Sequence, residues 1–413
     1  MKIIKAEEDL VINKNIFEFP IIYTNAIPKI AFGWGAHETV GDEAKALNIK
    51  KALITTTGLK GTGIVDQIKS ILNYAGIATE VFDKVTSNVK DYEIMAAYKV
   101  FKESGCDGVI SVGGGSSHDC GKGVRVLAAN EGKEISNFAA FINPPWMEKV
   151  KTYKPCTVPH IAVNTTAGTG AEVTSIATVT NTRLRTKEIV IVPNICPTLA
   201  IDDPLLIRLM PQKYTAWTGC DALAHGFEAY LTKVQGPYAS GMLLKAVQLI
   251  AENLREFTYN RMNNVACERM CAAATMGGIA IGFGAGAGIV HGLGHQIGAV
   301  TDCHHGFANA IMTIPGERYN QAACPEKFAD LARAMGVDTK NMTLPQASDK
   351  WFEEVERLLK DLGIRSGHLH EQVGLDKKDI PHIVKVYSND FPVQGNPREF
   401  NYEEVVKLLE DNY

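Results

Sequence analysis

A chain of 413 residues is longer than one hydrophobic core ordinarily fills, because single cores stop growing at roughly 250 to 300 residues, so two domains are expected. With 46% hydrophobic and 21% charged residues the composition excludes a disordered chain. A formal net charge of −4 excludes the broad positive field that nucleic acid or anionic lipid would require, which leaves small-molecule chemistry as the favoured class.

The first residues, MKIIKAEEDLVINKN, carry acidic side chains and no long apolar run, so they do not read as a secretory signal. From about residue 26 to 200, short β-branched runs alternate with helix-like segments. These are KALITTT (51–57), VDQIKSILNYAG (65–76), ATEVF (78–82), YEIMAAYKVFKESG (92–105) and GVISVGGGSS (108–117). Such alternation predicts βαβ units and a parallel sheet covered on both faces. After TLAIDDP (198–204) the strand signals fade into amphipathic stretches such as YASGMLLKAVQLIAENLREF (238–257) and SDKWFEEVERLLKDLG (348–363). The expected division is an α/β domain over 1–203 and a helical domain over 204–413, packed around a shared cleft with no long linker between them. The Gly-rich apolar stretch near 276–300 contains His291 and His295 and reads as a buried helix, not a membrane span. Nine scattered cysteines without a CxxC pair suit reduced thiols, and a cytoplasmic location is expected. Cys267 and Cys271, four apart, read as buried apolar residues.

Five segments carry candidate chemistry. GVISV runs into GGGSSHD (113–119), where free backbone N–H groups at a strand end suit a phosphate, although such a run also serves as a tight turn and departs from GxGxxG. TTAGTGAEVT (165–174) adds the hydroxyls of Thr165, Thr166 and Thr169, which suit phosphate or an amide. In TGCDALAHGFEAY (218–230), Asp221 and His225 project from one helix face, a spacing that suits a metal but alone is more often a surface ion pair or a cap. Downstream, GIVHGLGHQIGAV (288–300) places His291 and His295 four apart, and CHHG (303–306) adds His304 and His305. Burying five imidazoles without partners is costly, and a shared metal explains them economically. One carboxylate with several imidazoles suits Fe²⁺ or Zn²⁺.

Taken in order, FGWGA, GGGSSHDCGK, TTAGTGAEVT, TGCDALAHGFEAY, VHGLGHQIG, HHGFANA and NPREF resemble the motifs of the iron-containing, group III alcohol dehydrogenases over nearly the whole chain. That resemblance implies an α/β N-terminal dinucleotide-binding domain plus an all-α C-terminal metal-binding domain, a dehydroquinate synthase-like fold. It implies Asp221, His225, His291 and His305 as ligands of Fe²⁺ or alternatively Zn²⁺, and His295 as a catalytic histidine beside the nicotinamide. Gly114, Gly115, Ser116 and Asp119 would line the pyrophosphate, Thr165, Thr166 and Thr169 the nicotinamide end, and Lys187 the adenosine side. Among relatives dimers and larger rings occur, so a homo-oligomer is expected.

The chain departs from the family at three places. An Asp often found after the first strand is replaced within Thr55, Thr56 and Thr57; NAD(H) is still expected over NADP(H), with Thr57 at the cofactor, but without that carboxylate's support. His304 stands where Pro is usual, and a turn is the expected role for it. Val300 and Thr301 replace an aromatic pair and Gly316 a frequent histidine, which predicts a roomier and more polar substrate side.

The expected activity is a metal-dependent, NAD(P)-linked alcohol dehydrogenase or aldehyde reductase acting on a small primary alcohol and its aldehyde. Hydride transfer is the central step, with the substrate oxygen at the metal and His295 titrating in the neutral range as proton carrier. Three rivals remain. An NAD- and metal-dependent cyclase or lyase of the dehydroquinate synthase type would need clustered Arg and Lys. A metal-dependent hydrolase would not respond to NAD(P)H, and a non-catalytic metal binder leaves the glycine-rich loops without a purpose.

Overall fold

The computed structural model describes residues 27–57, 59–142, 145–234 and 236–413. The reading of residues 1–15 as lacking a secretory signal, and the first 26 residues of the expected α/β domain, lie outside the described residues.

Among the described residues of the first half, eight strands form: β1 Lys29–Phe32, β2 Lys51–Thr56, β3 Ala78–Phe82, β4 Gly108–Gly113, β5 His160–Asn164, β6 Ala177–Asn181, β7 Thr186–Val190 and β8 Leu199–Asp202. Six of them pair in parallel in the order β1-β8-β5-β4-β2-β3. Every residue of β4, β5 and β8 is buried, as expected where helices cover both faces of a parallel sheet. Alternation splits β2 between two cores, with Leu53 on one face and Ala52 and Ile54 on the other. The covering helices include α1 Val40–Ala46, α2 Ile64–Tyr74, α3 Asp91–Glu103 and α4 Gly115–Ala129, while α5 Trp146–Val150 is a short surface turn of helix. Chain order reverses between β2 and β4, and a crevice at the carboxyl ends of strands opens at such a switch point. Thr57 follows β2 there, and Gly114 follows β4.

One element went unread in the sequence. β6 and β7 pair antiparallel as a hairpin outside the main sheet, with Thr180 opposite Lys187. Their short β-branched runs had been absorbed into the general alternation.

From Pro204 onward the chain is helical: α6 Pro204–Ile207, α7 Gln212–Leu231, α8 Pro237–Tyr259, α9 Asn264–Ala280, α10 Ile289–Thr301, α11 His305–Asn320 and further helices to α17 Tyr402–Asp411. These pack around one large core that includes Phe227, Phe328, Trp351 and Phe352. Cys267 and Cys271 lie fully inside it, as apolar residues would.

The 276–300 stretch departs from the expectation of one helix. Helix α9 stops at Ala280, a wide turn covers Ile281–Ala285, and α10 starts at Ile289 after a bend of 103°. Gly284 (φ +85°) and Gly286 (φ +70°) adopt left-handed backbone that an L side chain would resist, so glycines inside the expected helix are what break it. Among the described residues no single helix is long and apolar enough to cross a membrane.

A candidate active site in the cleft between sheet and helices

A cavity of about 530 Å³ lies where the carboxyl ends of β2 and β4 face α7, α10 and the start of α11. Every site residue expected from the sequence lines it: Thr57, Gly114, Gly115, Ser116, Asp119, Thr165, Thr166, Thr169, Lys187, Asp221, His225, His291, His295 and His305.

The wall on the sheet side is built from backbone and hydroxyls. Gly114 caps α4, a 15-residue helix whose first turn presents unsatisfied N–H groups and the positive end of its dipole. The two glycine-rich loops interlock. A Cβ on Gly114 would lie 2.7 Å from Cγ2 of Thr166, and one on Gly115 would lie 2.9 Å from Cγ2 of Thr169, so the close approach of the loops excludes side chains at both glycines. Of the three threonines at the end of β2 and just after it, Thr55 donates its hydroxyl to the Ser117 carbonyl at 3.0 Å and is a structural residue; only Thr57 reaches the cavity. Asp119 is spent on the protein, accepting from the Thr178 backbone N–H (3.1 Å) and hydroxyl (2.8 Å) and pairing with buried Lys122.

The helix-side wall carries the imidazoles. Ligand atoms of Asp221, His291 and His305 all lie within 4.8 Å of one another. Oδ1 of Asp221 is 3.7 Å from Nε2 of His291 and 3.5 Å from Nε2 of His305. His225, one turn after Asp221 on α7, lies against His291 with ring centroids 4.4 Å apart, and His295 stacks on His305 at 4.9 Å. Asn309 orients the carboxylate by donating to Asp221 Oδ1 at 2.7 Å. Nε2 of His291 and Nδ1 of His295, His304 and His305 are buried without a hydrogen-bond partner. An unsatisfied buried polar atom costs about 1–3 kcal/mol, and Nε2 of His291, unpartnered 3.7 Å from Asp221 Oδ1 inside the cluster, is a donor that a bound cation would satisfy. Mixed oxygen and nitrogen donors suit a divalent first-row cation, and the residues fit one.

Burial lowers His225 to about 4 despite the opposing charge of Asp221. Burial and then the Lys187 charge hold His305 well below the ordinary imidazole value. Each is thereby kept in the neutral form that a ligand requires. His291 differs: burial alone would lower it, but the Glu228 carboxylate bonded to its Nδ1, aided by Asp221, leaves it raised.

Two expectations need correction. His295 does not titrate in the neutral range, because burial, then Lys187, then His291 and His225 hold it well below the ordinary value. Lys187, expected at the cofactor, lines the same cavity. Its Nζ is buried 3.1 Å from Oδ1 of Asn88, within electrostatic reach of Asp119 and Asp221, and burial pushes its ammonium down to about 8. His304 does more than shape a turn: it begins α11 while its ring lines the cavity and packs 5.3 Å from Trp217 and 5.5 Å from Tyr214. It is also the one substitution that bears on the substrate side. Gly316 is buried against Val290, and neither Val300 nor Thr301 lines the cavity.

Sequence reasoning missed Ser87, Asn88 and Val89, the apolar lining of Leu206, Met210 and Phe391, and Glu228. Only Glu228 left a signal, an acidic residue three after His225 on the buried face of a helix.

Residues 28–204 match the family described as iron-containing alcohol dehydrogenase, and residues 215–413 match the C-terminal domain of the Fe-containing alcohol dehydrogenase family. The chain is 37% identical to methanol:N,N-dimethyl-4-nitrosoaniline oxidoreductase of Mycobacterium sp., over 95% of this chain and 96% of that protein. It is 33% identical to NAD-dependent methanol dehydrogenase of Bacillus methanolicus, over 93% of this chain and 98% of the other. Its structure resembles that of a 1,3-propanediol oxidoreductase with a TM-score of 0.87 and 36% identity, covering 95% of this chain and all of that one.

Proposed function

The chain belongs to the iron-containing alcohol dehydrogenase family and is an oxidoreductase, and from that premise we propose that it interconverts a small neutral primary alcohol and its aldehyde by hydride transfer with NAD(H). The observation that carries this reading is the meeting, in one cavity, of a phosphate-ready helix start with the cluster of Asp221, His225, His291 and His305. Within it, the α/β part is taken as residues 1–203 and the helical metal-binding part as 204–413, with the change from strands to helices after β8 in support.

Asp221, His225, His291 and His305 would hold Fe²⁺, or Zn²⁺ where that is more available, and the bound metal supplies a Lewis acid for the substrate oxygen. The chain's own groups do the rest. Gly114, Gly115 and Ser116 present the start of α4 to a pyrophosphate, and the Thr165, Thr166 and Thr169 loop packs beside them toward the nicotinamide end. His295 is the proton carrier of this reading: its buried Nδ1 has no partner, and because burial and Lys187 disfavour its charged form it passes the alcohol proton on without staying protonated. Leu206, Leu209, Met210, Ile281 and Phe391 exclude water from the substrate end. Lys60 and Lys187 are the only cationic side chains among the described lining residues, which favours a neutral substrate over an anionic one and leaves a phosphate-bearing cyclase substrate without its arginines. The relatives named for methanol and 1,3-propanediol support a short, neutral alcohol. NAD(H) is preferred to NADP(H) because no arginine stands among the described lining residues to receive a 2′-phosphate, although Thr57 after β2 brings no carboxylate to repel one. A cytoplasmic homo-oligomer is part of the same proposal, resting on the reduced-thiol composition and the family premise.

The test is oxidation of NADH and NADPH by anaerobically prepared, Fe²⁺-loaded protein with neutral and anionic small aldehydes, alongside a metal-stripped control. Metal-dependent turnover fastest with NADH and a neutral aldehyde is the expected result; no oxidation of either cofactor with any aldehyde would overturn the reading.

A further inference from the structure

Helix α10 carries both His291 and His295, yet it begins just after the sharp break at Ile281–Gly286, so no preceding helix sets its register. Its N-cap, Gly288, has no side chain to satisfy the first-turn N–H groups. Two distant residues satisfy them instead. Oδ1 of Asn396, the first residue of the NPREF motif, accepts from Ile289 N at 3.1 Å. The Glu228 carboxylate, reaching across from α7, accepts from Val290 N at 2.7 Å and from His291 N at 3.0 Å. The same carboxylate also takes the Nδ1–H of the His291 ring, which leaves Nε2 as the lone-pair nitrogen, 3.7 Å from Asp221 Oδ1 and without a partner. Asn396 is itself clamped by a reciprocal amide pair with Asn320, at 2.8 and 3.0 Å. Gly288 makes room for the arrangement, since a Cβ there would stand 3.0 Å from both Asn396 Oδ1 and Glu228 Oε1.

We propose that Glu228 and Asn396 are positioning residues of the metal site, capping α10 in trans and fixing the His291 ring so that Nε2 faces the cation. The inference rests on the metal reading above and adds to it the support of one ligand. Helix α7 then supplies two ligands, Asp221 and His225, and one turn further the carboxylate that aims a third from another helix. A ligating imidazole whose second nitrogen is bonded to a carboxylate is better oriented and more basic, and losing such a partner typically weakens metal binding by about 10–100-fold.

The test titrates the metal-stripped full chain with Co²⁺, reading affinity by chelator competition and geometry by the visible spectrum, with far-UV circular dichroism confirming the fold. Glu228→Gln keeps the shape and one acceptor; it is expected to fold, to bind Co²⁺ on the order of 10–100-fold more weakly and to give an altered spectrum. Gly288→Ala presses on both capping oxygens from the other side and is expected to shift affinity and spectrum in the same direction. It decides the matter if Glu228→Gln does not fold. Folded variants with wild-type Co²⁺ affinity and spectrum, while His291→Ala loses the metal, would reduce Glu228 and Asn396 to caps and overturn the proposal. If Asp221→Asn and His291→Ala also bind Co²⁺ as the wild type does, the metal reading itself fails and the proposal falls with it.

Discussion

The two walls of the cleft solve the binding problem in opposite ways. On the sheet side, Gly114, Gly115 and the 165–169 loop offer backbone N–H groups and hydroxyls, so what matters is how closely two loops approach. On the helix side, Asp221, His225, His291 and His305 offer particular lone pairs, so what matters is which atom stands where. A wall made of backbone tolerates many side chains but no extra volume; a wall made of ligands tolerates volume better than it tolerates a change of element or charge.

If that contrast holds, Asp221→Asn should have the largest effect. It keeps the shape, including an acceptor for Asn309, but removes the one anionic ligand, so metal content should collapse and turnover fall by roughly 10³-fold or more. Full turnover with metal retained would break the comparison at its strongest point. His295→Ala separates ligand from proton carrier within the helix wall. It should lower kcat by about 10²–10⁴-fold while metal content stays at the wild-type level, and loss of the metal would move His295 into the ligand set. Gly115→Ala probes the other wall and should be mildest. Its Cβ would meet Thr169 Cγ2 at 2.9 Å, so the loops must part, and the KM for NADH should rise by about tenfold with kcat and metal content little changed. A loss of metal in this variant would show that the two walls are not independent.

Much of this site was legible as residues and little of it as geometry. Asp221 with His225, and His291 with His295, could be paired on helix faces because four residues make about one turn. The break before α10 was misread, because glycines in an apolar run look alike whether they loosen a helix or end it; the positive φ values of Gly284 and Gly286 belong to the folded chain. The β6–β7 hairpin was missed because a short β-branched run carries no mark of its partner or direction. His295 was expected to titrate near neutrality because the free imidazole does, and burial beside Lys187 reverses that. Gly316 was assigned to the substrate side by its place after a motif, yet α11 turns it toward Val290.

From the sequence alone came the alternation of strands and helices, the change of regime after residue 203 and the identity of the side chains able to bind a cation, because periodicity and residue chemistry are local properties. Tertiary structure alone decided that Asp221, His291 and His305 converge, that Glu228 and Asn396 meet at the start of α10, and that burial lowers His225, His295 and His305 while Glu228 raises His291. The physical reason is the same in each case: convergence and ionisation depend on which distant segments exclude water together, and that is a property of the packed core.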